Sequence, residues 1–149
     1  MLNRDFREFI ALLNSNKVKY LVIGGYAIAF HGHPRYTKDL DIWLELSAEN
    51  AARVLQALED FGFGDIDLEK ADLLQSGMVV QLGQPPNRID LINSPDGVDF
   101  DECFHSRNEI VIDGLKLFLI DLESLKKNKK ASGRLQDLAD LEKLGDPTT

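Results

Sequence analysis

The segment Asp39 to Leu46 reads DLDIWLEL, and its alternation leaves little choice of local structure. Successive side chains of an extended strand point to opposite faces. Leu40, Ile42, Leu44 and Leu46 therefore share one face, and Asp39, Asp41, Trp43 and Glu45 share the other. The apolar face must be buried against a core. The other face then carries two carboxylates side by side, which repel each other and are costly to bury uncompensated. Solvent, an arginine or lysine, or a divalent cation can compensate them, and oxygen-only surroundings suit Mg²⁺. Taken alone, the pattern is best explained by a strand with an exposed acidic face.

Two other stretches change that balance. In RIDLI, Asp90 stands between Ile89 and Leu91, again an acid set in an apolar strand. If the two strands are neighbours, Asp90 completes a three-carboxylate cluster. Gly24-Gly25 follows the apolar run LVI and precedes YAIAF, which places the glycines at a strand-to-helix junction. Backbone N–H groups at the start of a helix attract phosphate, and glycine lets a phosphate come close. A phosphate seat, an acid pair and a third acid together suit phosphoryl chemistry.

Around these residues the chain alternates helix and strand. NRDFREFIALLNSN places Phe6, Ile10 and Leu13 on one helical face. VKYLVIGG reads as a buried strand ending at the glycines, and YAIAFHG as a helix stopped by Gly32 and Pro34. SAENAARVLQALEDFGF is a helix capped by Ser47 and stopped near Gly62. DLEKADLLQ suits a short helix or a loop. GMVVQLG and NRIDLIN read as strands around QPP, SPDG as a turn, and NEIVIDGLKLFLI as a hairpin bent at DG. DLESLKKNKKAS and GRLQDLADLEKLG close the chain as two helices about Gly133. The expectation is an α/β (α+β) fold with a mixed central sheet, forming a single domain over residues 1–149.

Bulk properties narrow the function classes. With 44% hydrophobic and 28% charged residues, disorder is not expected. No apolar run approaches a membrane span, and MLNRDFREFI carries no signal-peptide core, so a cytoplasmic protein without membrane partners is expected. A net charge of −8 argues against coating nucleic acid non-specifically. Lys126, Lys127, Lys129, Lys130 and Arg134 nevertheless crowd one segment, and a local basic patch can grip phosphate. Cys103 is the only cysteine, and a small half-buried residue is the better reading of it than a nucleophile.

These residues resemble the nucleotidyltransferase fold of the DNA polymerase β superfamily. Its pattern is an apolar residue, Gly-Gly or Gly-Ser, a spacer, and then two acids separated by one residue. Here it reads Ile23-Gly24-Gly25, thirteen residues, then Asp39-Leu40-Asp41-Ile42, with Asp90 matching the third acid from a later strand. HGHPRYTKDLDI, VVQLGQPPNRIDLI and NKKASGRLQDLADLEKL extend the likeness to the small bacterial branch, which includes minimal nucleotidyltransferases and AbiEii-type toxin proteins. The resemblance implies transfer of a nucleoside monophosphate from an NTP, ATP included, to an acceptor hydroxyl, with release of pyrophosphate. It implies two Mg²⁺ ions, or Mn²⁺, held by Asp39, Asp41 and Asp90, and phosphates seated on Gly24 and Gly25. Arg35 and Lys38 sit just before the acid pair, where they could touch triphosphate oxygens, or instead neutralise the acids or lie in solvent, with Thr37 fixing the loop. In the basic segment the likeness favours Lys127 and Arg134 for nucleotide contact, with Asp137 and Asp140 bracing the cations.

The acceptor stays open: RNA such as tRNA, protein, or a small molecule such as an antibiotic. A toxin–antitoxin role stays open too, as does a catalytically inactive NTP-binding or antitoxin-like protein on the same fold. The closing helices leave room for a partner protein or a second subunit on the acceptor side. Other candidates read more simply. His31 and His33 lack a third ligand, and a local hydrogen bond is the better reading; His105 has no evident partner. Asp65, Asp67 and Glu69 mark a helix start capped by Asp67 rather than a calcium loop. Trp43 and Tyr36 suit packing or contact with a base equally well.

Overall fold

The computed structural model describes residues 2–33, 39–84 and 87–144. Helix α1, Arg4–Ser15, starts at Asn3, whose side chain accepts from the Phe6 N–H, and it buries Phe6, Phe9, Ile10 and Leu13. Strand β1, Tyr20–Ile23, is buried along its whole length and runs directly into α2, Gly24–Phe30. The acid-bearing strand is β2, Leu40–Leu44, followed by α3, Ala48–Leu58, which is capped by Ser47. A turn over Glu59–Phe63 extends α3, with a kink at Gly62, whose φ is 101°. Next come α4, Lys70–Leu73; β3, Val79–Leu82; and β4, Ile89–Ile92. Helix α5, Phe100–His105, precedes the hairpin of β5, Asn108–Ile112, and β6, Leu115–Leu119. Helices α6, Leu122–Ser132, and α7, Leu135–Leu144, meet at Gly133, whose positive φ of 66° gives the left-handed C-cap.

The six strands form one mixed sheet in the order β3-β4-β2-β1-β6-β5. Two parallel pairs, β1 with β6 and β2 with β4, lie among three antiparallel ones. The register matters most at the centre. Ile23 pairs with Asp41 across β1 and β2, Asp41 with Asp90 across β2 and β4, and Gln81 with Asp90 across β3 and β4. Paired residues point to the same side, so the acids face outward together while Leu40, Ile42, Ile89 and Leu91 enter the core.

One local expectation is corrected, and two further points are resolved. The short helix α4 is capped by Glu69, not Asp67; Glu69 and Asp72 form a reciprocal capping box. The stretch before Asn108 forms α5, capped by Asp99. Trp43 shares the strand parity of the acids but does not open toward a base. It is buried edge-on against Phe100 of α5, with its indole N–H 3.3 Å from the Asn93 carbonyl. The acidic face is thus open only at its Asp39–Asp41 end.

Candidate active site

A cleft of about 570 Å³ opens over that end. Its floor is the sheet: Ile23 of β1, Asp39 and Asp41 at β2, Gln81 and Val79 of β3, and Arg88, Asp90 and Ile92 at β4. All of these share one strand parity. Gly24 forms one edge, Pro95 and Asp96 another, and Asn128, Lys129, Ser132 and Arg134 close it from α6 and the start of α7.

Asp41 lies at the centre of the charge. Burial, and after it the neighbouring Asp90 and Asp39, pushes its carboxyl up to about 7, while Lys129 pulls the other way. Gly24 explains how that carboxylate fits. Its φ of +71° is left-handed, and a β-carbon there would run into the Asp41 side chain. The glycine therefore serves the acid as well as the backbone turn. Gly25 is buried in the first turn of α2, away from the cleft lining.

Arg88 was not singled out by sequence reasoning. Its Nη2 donates to Asp39 Oδ2 at 2.7 Å, and its Nε lies 3.1 Å from Asp90 Oδ1. The signal available was period two: Arg88 precedes Asp90 by two residues and must share its face.

The basic segment resolves by helical geometry. Lys127 is exposed and lies outside the cleft lining, whereas Lys129, turned to the opposite side of α6, is buried at its edge. Lys129 Nζ is 3.1 Å from both Asp137 and Asp140 of α7. Arg134 Nε is 2.7 Å from Asp137 but keeps 78% of its side chain exposed, and Ser132 also donates to Asp137. Burial works to raise the Asp137 carboxyl, but hydrogen bonds from Arg134, Ser132 and Lys129 hold it well below the usual carboxylate range. Arg35, Tyr36, Thr37 and Lys38 lie outside the described residues. His31 closes α2 and bonds the Ile120 carbonyl at 2.7 Å.

The donor set suits a hard divalent cation: Asp41 and Asp90 on paired strands with Asp39 two residues before Asp41, all oxygen donors whose mutual repulsion a cation would relieve. Among the described residues, no three acid, histidine or cysteine side chains converge into a preformed metal cage. Arg88 occupies the space between Asp39 and Asp90.

A sheet of this order, with acids from β2 and β4 facing a glycine at the β1–α2 junction, defines a nucleotidyltransferase fold. Residues 2–145 match one family model, and the chain belongs to that family, described as nucleotidyltransferase of unknown function (DUF6036). No curated protein matches the chain significantly. Among solved structures it resembles a Thermotoga maritima protein assigned as a nucleotidyltransferase, at 18% identity over 94% of this chain and 89% of that one, with a TM-score of 0.65. It also resembles the lincosamide antibiotic adenylyltransferase LnuA in its lincomycin-bound form, at 20% identity over 98% of each chain, with a TM-score of 0.61. A third is an antigenic nucleotidyltransferase-like protein of Paracoccidioides brasiliensis, at 16% identity over 96% of this chain and 77% of that one, with a TM-score of 0.60. At these identities the likeness is one of fold. No helix among the described residues is long and apolar enough to cross a membrane.

Proposed function

We propose that the protein transfers a nucleoside monophosphate from an NTP to an acceptor hydroxyl. The acceptor oxygen bonds to the α-phosphorus, the bond from that phosphorus to the β-phosphate bridge breaks, and pyrophosphate leaves. The observation that carries this reading is the Asp41–Asp90 register pair, with Asp39 two residues away, at the floor of an open cleft. Asp39, Asp41 and Asp90 would hold Mg²⁺ or Mn²⁺. Bound there, the cation would neutralise the acids, lower the pKa of the attacking hydroxyl and stabilise the charge on pyrophosphate. Gly24 lines the cleft beside Asp41, and its backbone N–H at the start of α2 would meet the donor's phosphates. Lys129 and Arg134 bring positive charge to the α6 side of the cleft, Lys129 fixed in place and Arg134 reaching solvent.

Catalysis of this kind is mostly positioning and charge neutralisation, which a rigid sheet floor provides. The acceptor is a hydroxyl of an RNA, a protein or a small molecule; the likeness in fold to a lincosamide adenylyltransferase supports including lincosamides among those to try. The test is incubation with each NTP, Mg²⁺ and separate pools of tRNA, protein and hydroxylated antibiotics, with pyrophosphate release as readout. Acceptor-dependent pyrophosphate release supports the reading. NTP binding without release from any pool would favour a binding protein on the same fold.

A further inference from the structure

Arg88 enters the acid cluster on the strand face of Asp90 and touches acids from two strands. Arg88 divides one guanidinium between Asp39 and Asp90, and its Nη2 donates to both, at 2.7 Å to Asp39 Oδ2 and at 3.3 Å to Asp90 Oδ2. The contact with Asp90 is looser than that with Asp39: the Nη2 bond is longer, and Nε lies 3.1 Å from Asp90 Oδ1 without a well-aligned hydrogen bond. Lys129 is the contrast within the same site, 7% exposed and gripped at 3.1 Å by each of two acids. Arg88 and Asp39 keep 28% and 29% of their side chains exposed, so the guanidinium has a path to solvent that leaves the core intact.

We infer that Arg88 is the resident counter-ion of the acid cluster, and that a divalent cation binds by displacing its guanidinium from Asp39 and Asp90. The inference rests on the nucleotidyltransferase reading of those acids. A buried acid cluster without a partner is costly, and Arg88 offsets that cost in the metal-free chain. It uses the same oxygens a cation needs, so the two compete and the affinity for bare metal is held down. Substituting Arg88 removes the competitor and leaves more of the acids' repulsion for the cation to neutralise, with Lys129 still acting on Asp41.

The experiment is Mn²⁺ titration of the full chain without nucleotide, following free Mn²⁺ by electron paramagnetic resonance. Arg88→Gln is expected to bind Mn²⁺ about tenfold more tightly than the unsubstituted protein, the scale of one lost charge pair. Arg88→Lys should fall between them, because one ammonium cannot bridge both acids as the planar fork does. It also serves if the glutamine variant folds poorly. Mn²⁺ should raise the melting temperature of Arg88→Gln more than that of the unsubstituted protein. Affinity unchanged or weakened in both variants would overturn the inference and make Arg88 an orienting group for the acids. If neither the unsubstituted protein nor Arg88→Gln binds Mn²⁺, the metal reading of the acids fails and the inference falls with it.

Discussion

Gly24 and Asp41 depend on each other through space alone. The left-handed backbone at Gly24 costs any other residue strain, and the Asp41 carboxylate fills the volume a side chain would need. Gly24→Ala is therefore expected to destabilise the fold by about 1–3 kcal/mol and to lower nucleotidyl transfer at least tenfold. Thermal melting and initial rates check the two effects; a variant equal to the unsubstituted protein in both would refute the coupling. The acids themselves were legible because parity puts Asp39, Asp41 and Asp90 on the strand face opposite the apolar side chains. Arg88 was not, since a basic residue at a strand entry looks like ordinary surface until its neighbour strand is known. Lys127 and Lys129 show the same limit. They lie in one basic run, and only the rotation of α6 relative to the cleft separates the exposed one from the buried one.

At the scale of elements, α6 and α7 act as a braced pair. Lys129 of α6 meets Asp137 and Asp140 of α7, and Arg134 and Ser132 add to Asp137. The Asp137 carboxyl is lowered in the folded protein, so its contribution to stability is complete above the unfolded carboxylate value, about 3.9. It is lost as pH falls through the still lower folded value. Asp137→Asn should therefore melt well below the unsubstituted protein at neutral pH, with the gap closing only in strong acid. Melting curves from pH 7 down to pH 2 check this; a gap that closes near neutrality would contradict it. The elements themselves followed from periodicity where they were long or capped by Ser47 or Gly133. Helix α5 escaped because six residues are too few to show a helical period. With it went the cover over Trp43, which parity alone left facing the same open side as the acids.

At the scale of the molecule, the sheet order gathers the start of α2, the acids of β2 and β4, and the α6–α7 junction into one cleft from distant parts of the chain. The class of fold could be read from alternating helix and strand, but pairing β4 with β2 could not. Long-range partners leave no local trace, and only the resemblance of the acid spacing pointed there. The net charge of −8 makes Asp39, Asp41 and Asp90 part of a broadly acidic body, so a cation has to be recruited to the cleft by them. The measurement that tests the central claim most directly is transfer of label from α-³²P-NTP to acceptor with Mg²⁺, comparing the unsubstituted protein with Asp41→Asn and Asp90→Asn. The expected result is labelled product from the unsubstituted protein, lost on chelation. Each variant should be slower by about 10²-fold or more while keeping a native circular dichroism spectrum. Labelled product formed at the same rate by a folded Asp41→Asn protein would contradict the account.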